Sequence, residues 1–128
     1  MSTPTMMTTA TRTATATRPP GDAWVAICEL DRILPGTGVA AMVDGHQVAV
    51  FRLPDGRLFA VDHHDPCSGA NVIARGIVGD VDGTPVVASP IHKQRFELST
   101  GACLDDEAAL GVHAVRLDDG VVEVALGA

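Results

Sequence analysis

The amino-acid sequence predicts an all-β domain, and three observations carry that reading. Core volume has to come from Val, Ile, Leu and Ala, because the 128 residues include one Trp, three Phe and no Tyr. β-branched side chains fit a pleated, half-buried surface and lose rotamer freedom in a helix. Asp-Gly pairs at 44–45, 55–56, 82–83 and 119–120 separate apolar runs, and Gly accepts the positive φ that a tight hairpin turn needs. Finally, Val122, Val124 and Leu126 alternate with Glu123, the period-two pattern of a strand with one face buried.

Taken in order, Ala23 to Cys28 reads as a first strand, and Leu30 to Leu34 as a short helical turn running into the loop Pro35 to Gly38. Val39 to Val43 and Gln47 to Leu53 form a hairpin across Asp44-Gly45; Pro54-Asp55-Gly56 turns the chain into Arg57 to Val61, completing a three-strand meander. From Asp62 to Gly83 the pattern breaks up, leaving only short apolar pieces at 72–74 and 77–78. Pro85 to Ala88 is a buried strand, Arg95 to Leu98 another, and Ser99-Thr100-Gly101 a turn. Asp105 to Leu110 is the one further helix candidate, about one and a half turns long. Val112 to Leu117 and Val121 to Leu126 close the chain as a hairpin. The stretch Met1 to Pro20 is rich in Thr and Ala and free of acidic residues, with Arg12 and Arg18 its only charged side chains. Residues 1–21 are expected to be a disordered tail, a transit peptide being the rival reading, and 22–128 a single domain.

Composition excludes whole classes of function. The formal charge is −7 and no basic cluster exists, so nucleic acid is not an expected partner. No apolar run reaches membrane-spanning length. Three cysteines, Cys28, Cys67 and Cys103, make no disulfide framework, which suits a reducing cytoplasm. Neither a nucleophile–base arrangement nor a nucleotide-binding glycine motif is present, and no independent catalytic site is expected.

Two polar loops leaving strands carry the chemistry. The first is His63-His64-Asp65-Pro66-Cys67-Ser68-Gly69-Ala70; the second is Ser89-Pro90-Ile91-His92-Lys93-Gln94-Arg95-Phe96, with Thr100-Gly101 beyond. His63, His64, Cys67 and His92 include zinc-type donors, but adjacent histidines on an extended chain point apart. The plainer readings are a half-buried filler for Cys67 and a histidine hydrogen-bonded within its own loop for His92. Lys93, Arg95 and Arg75 are solvated charges, or else they orient a partner or an anion near the loop tips.

Laid side by side, the loops resemble the Rieske family, in which Cys-x-His and Cys-x-x-His boxes hold a [2Fe–2S] cluster through two thiolates and two imidazoles. Pro66, Pro90, Gly69, Phe96 and Gly101 match the family's scaffold positions. Asp65 and Ser89 stand at its cysteines, Cys67 stands at one histidine, and His92 alone is retained. A narrower resemblance covers about Trp24 to Ala125. Arg75-Gly76-Ile77-Val78-Gly79-Asp80, Ser89-Pro90-Ile91-His92-Lys93-Gln94 and Val48 to Arg52 are similar to the small subunits of NAD(P)H-dependent nitrite reductase, the NirD family, which lacks the cluster ligands. That family usually has an aromatic residue where Cys67 stands.

The resemblance implies a Rieske-type antiparallel β-sandwich or barrel with a smaller loop-rich subdomain, and a cytoplasmic, non-catalytic subunit without a cluster. FAD, sirohaem and an iron–sulfur cluster would belong to the large partner subunit, which reduces nitrite to ammonium in nitrogen assimilation. Asp65, Cys67, Ser89, His92 and Lys93 would be the vestigial pocket and the candidate docking face for that subunit. Two alternatives stay open: an electron carrier ligating iron through Cys67, His92 and Cys103, and a structural β module of another redox complex.

Overall fold

The computed structural model describes residues 24–127; the tail expected over 1–21 lies outside them. Among the described residues there are nine strands: β1 (Val25–Glu29), β2 (Thr37–Val43), β3 (His46–Arg52), β4 (Leu58–Asp62), β5 (Ile77–Val81), β6 (Thr84–Ala88), β7 (Arg95–Glu97), β8 (Val112–Asp118) and β9 (Val121–Ala125). The only helical pieces among the described residues are two three-residue 3₁₀ turns, Leu30–Arg32 and Ile73–Arg75. None is long and apolar enough to cross a membrane.

Every pairing is antiparallel. A six-stranded sheet runs β1-β9-β8-β4-β3-β2 and curls toward a barrel, while β5-β6-β7 form a separate three-stranded sheet. The two predicted hairpins pair as expected, and the turn expected at Asp82-Gly83 proves to join a third. Val43 lies opposite His46, Val81 opposite Thr84 and Asp118 opposite Val121. The turns between them place Asp44, Asp82 and Asp119 at φ of 49°, 51° and 53°, each followed by Gly at positive φ, as two-residue turns require to match strand twist.

The continuous apolar run Val48 to Phe51 has a specific cause. β3 is buried on both faces, because it divides two cores. Val48 and Val50 point into the barrel with Ile33, Val43, Ala60, Val122 and Val124. Ala49 and Phe51 point outward, joining Val61 with Val87, Phe96, Leu98 and Leu110 from the small-sheet side. This second core welds the loop-bearing subdomain to the barrel.

Two expectations need correction. Ile77–Val81 is a full strand, and only its apolar start shows in the sequence, because Gly79 and Asp80 on this exposed edge strand interrupt the pattern. Asp105 to Leu110 is not helical. Asp105 instead accepts hydrogen bonds from the backbone N–H and guanidinium of Arg95 at 2.8–3.1 Å, and Cys103 N–H bonds to the Ala108 carbonyl. A segment this short cannot repay helix nucleation when its first turn is tied elsewhere.

Candidate functional site

The β4–β5 and β6–β7 connections carry the two polar loops, and they share one backbone design. Asp65 N–H bonds to the Ala70 carbonyl, and Gly69 N–H bonds to the Asp65 carbonyl, both at 2.8 Å. In the second loop Ser89 N–H bonds to the Gln94 carbonyl at 2.9 Å, and Lys93 N–H to the Ser89 carbonyl at 3.0 Å. The opening side chain of each loop also accepts from the backbone two residues on: Asp65 Oδ1 from Cys67 N–H at 2.9 Å, Ser89 Oγ from Ile91 N–H at 3.2 Å. Pro66 and Pro90 pre-set φ at the second position of each turn. The fifth position sits at positive φ in both, +80° at Gly69 and +66° at Lys93.

The loops meet through those opening residues. Ser89 Oγ donates to Asp65 Oδ2 at 2.6 Å, with both side chains fully buried, and Ser68 Oγ donates to the same oxygen at 2.9 Å. Burial is the largest influence on the Asp65 carboxyl and pushes its pKa up. The hydrogen bonds from Ser89, Cys67 N–H and Ser68 together outweigh burial and hold it below the usual carboxylate value. The site is thus built around an ionised carboxylate that accepts three hydrogen bonds from the protein.

Of the five predicted site residues, Asp65, Cys67 and Ser89 lie together through Asp65, which accepts from Cys67 N–H and Ser89 Oγ. Cys67 packs its half-buried side chain against the outer core. Burial first, then the negative charges of Asp65 and Asp106, push its thiol pKa up, so it is not an activated thiolate. His92 and Lys93 lie exposed at the tip of the second loop. Among the described residues the His92 ring has no hydrogen-bond partner, so the expected bond within its own loop does not form. Ile91 beside it and Leu104 are exposed apolar side chains. Arg95 is tied to Asp105 and so is not a free cation. His63 accepts Ala74 N–H at Nδ1 and His64 contacts the Asn71 side chain, so these two histidines diverge from Cys67 and His92.

A constellation absent from the sequence reasoning lies at the end of β4. Asp62 Oδ1 is 3.2 Å from His46 Nε2 and 2.7 Å from His113 Nε2. The three residues come from β3, β4 and β8, and only the adjacency of β8 to β4 brings His113 to Asp62, 51 positions apart in the chain. No local pattern could have signalled it.

Comparison with known proteins places this architecture. The family model for the Rieske-like [2Fe-2S] domain matches residues 23–125. The nitrite reductase (NADH) small subunit of Salmonella typhimurium is 46% identical over 103 residues, covering 79% of this chain and 95% of that one. A crystal structure assigned to the NADH-dependent nitrite reductase small subunit of Mycobacterium tuberculosis superposes with a TM-score of 0.79 at 47% identity, over 82% of this chain and 96% of that chain. The nitrite reductase [NAD(P)H] large subunit of Klebsiella oxytoca is 41% identical over 106 residues, 82% of this chain but 11% of its own length. The chain therefore belongs to the Rieske-like [2Fe–2S] domain family and, within it, to the small subunits of NADH nitrite reductase.

Proposed function

We propose that this chain is a cluster-free, non-catalytic small subunit of NAD(P)H nitrite reductase that docks the large subunit through its two former ligand loops. The bond between Asp65 and Ser89 is the observation that carries the reading. The donors at the two cysteine positions are hard oxygens, whereas cluster iron takes thiolates. Here the Ser89 hydroxyl proton is spent on Asp65, and Asp65 already accepts from three protein donors, two of them on Oδ2. The donor set does not fit a [2Fe–2S] cluster, and a hydrogen-bonded bridge joins the loops where a cluster would otherwise link them. The electron-carrier alternative would have to hold iron with oxygen, not thiolate, at Asp65 and Ser89, and those oxygens are bonded to each other.

Docking at the loop tips is supported by two features. Lys93 holds a left-handed backbone that costs a non-glycine residue about 1–2 kcal/mol, at a position where Gly69 does the same work in the sister loop without that cost. Ile91, His92 and Lys93 stand together in solvent as an apolar, aromatic and cationic group. The Klebsiella large subunit contains a segment similar to nearly the whole folded part of this chain, which favours association of the two activities in one assembly. Flavin, sirohaem and iron–sulfur chemistry then belongs to the large subunit, and the three free thiols suit the cytoplasm.

Co-expression with the large subunit tests the proposal. The isolated chain should be colourless and free of iron and acid-labile sulfide. The large subunit should co-purify with it, and nitrite-dependent NAD(P)H oxidation should fall when it is withheld. Lys93→Glu with His92→Ala should reduce co-purification while the isolated chain stays folded. Stoichiometric iron and sulfide would overturn the cluster-free reading; unchanged co-purification would move the docking face elsewhere.

A further inference from the structure

We infer that His46, Asp62 and His113 form a binding site for a divalent transition-metal ion of the zinc class, on the barrel and separate from the two loops. Two imidazoles and one carboxylate are a donor set suited to such ions. The three donor atoms lie within 4.8 Å of one another. Zinc bonds of about 2.0–2.1 Å in a tetrahedron put ligand atoms about 3.3 Å apart. The Asp62 Oδ1 to His46 Nε2 separation of 3.2 Å already matches. The 2.7 Å separation to His113 Nε2 needs a retreat of roughly half an ångström. The rings meet edge to face, centroids 5.6 Å apart and 74° between planes, and both Nε2 atoms contact the same Asp62 oxygen.

The supporting shell of the carboxylate is also in place, whereas that of His113 must rearrange on binding. Each residue stands on a strand of the curled sheet: His46 opens β3, Asp62 ends β4 and His113 sits at the start of β8. Gly111 N–H bonds to Asp62 Oδ2 at 3.0 Å, orienting the carboxylate and leaving Oδ1 for the cation, as outer partners do in metal sites. His113 has only 7% of its side chain exposed while His46 has 51%, giving one fixed ligand and one at the solvent opening.

One contact makes the proposal specific. Gly127 N–H bonds to His113 Nδ1 at 2.9 Å, so the resting neutral ring carries its proton on Nε2 and donates it to Asp62. A cation on Nε2 displaces that proton to Nδ1, and the Gly127 N–H must then turn away. Binding is therefore coupled to release of the chain at Gly127, with no net proton lost from His113.

Titration of the full chain with Zn²⁺ alone, followed through the imidazole nitrogens and backbone amides by NMR, tests this. His46 and His113 Nε2 resonances and the Gly127 amide should shift together and saturate at one ion per chain. The resonances of His63, His64 and His92 should not move. His46→Ala, at an exposed position, should weaken binding about tenfold or more with the amide spectrum of the fold retained; Asp62→Asn should do the same. Co²⁺ should give a d–d spectrum without thiolate-to-metal charge transfer, separating this site from the cysteines. Thiolate charge transfer, shifts confined to other histidines, a silent Gly127 amide, or undiminished binding by His46→Ala would each overturn the site.

Discussion

Breaking the bond between Asp65 and Ser89 tests how the two polar loops hold together. Ser89→Ala removes a 2.6 Å hydrogen bond between two fully buried groups and leaves Ile91 N–H without its acceptor. A hydrogen bond to an ionised group is worth about 1.5–3 kcal/mol, so the expected loss is about 2 kcal/mol. Asp65→Asn forfeits the charge and places an amide N–H₂ among three donors, at a cost of about 2–3 kcal/mol. Since each substitution removes the charge-assisted form of the same contact, the double variant should recover about 1–2 kcal/mol relative to the sum of the two. Urea unfolding of the four proteins at neutral pH measures all three quantities. A second axis is pH. The Asp65 pKa is lower folded than unfolded, so its contribution is fully present above the ordinary carboxylate value and disappears as pH falls through the folded one. The gap between the wild type and Asp65→Asn should therefore be widest near neutrality and close below about pH 4. Asp62 and Asp105 are depressed too, Asp105 to about 2, but they are common to both proteins and cancel in the difference. A flat difference curve, or additive single substitutions, would refute the account of a carboxylate anchoring both loops.

The remaining predictions concern the surroundings of that anchor. Phe96→Ala should lower stability by about 3–5 kcal/mol in thermal or urea unfolding, because Phe96 is fully buried in the core joining the small sheet to the barrel. Lys93→Gly should stabilise the isolated chain by about 0.5–1 kcal/mol by relieving a φ of +66°, while weakening capture of the large subunit in a pull-down. Cys67 should react with iodoacetamide at neutral pH more slowly than an unstructured cysteine peptide, because burial and neighbouring carboxylates disfavour its thiolate; a faster rate would contradict this.

Legibility in the sequence followed the range of the interactions. The Asp-Gly hairpins were readable because a positive-φ turn is a two-residue property, and β3 because burial on both faces leaves an unbroken apolar run. β5 was only half readable, since an exposed edge strand can hold Gly79 and Asp80 at no packing cost. The helix expected over Asp105 to Leu110 failed to a competing long-range partner, Arg95, which captures the carboxylate that would have opened it. Both ligand loops were legible because each is a local turn with proline at its second position.

Amino-acid order alone determined which donors stand in the two loops: oxygen at Asp65 and Ser89, sulfur at Cys67 and imidazole at His92. Donor identity is a covalent property and needs no folding to be known. Only the tertiary structure decided what those oxygens do: Asp65 and Ser89 lie 24 residues apart, and the packing of the small sheet onto the barrel brings them to 2.6 Å. The same holds for His46, Asp62 and His113, which are strangers in the chain until the order of strands makes β3, β4 and β8 neighbours.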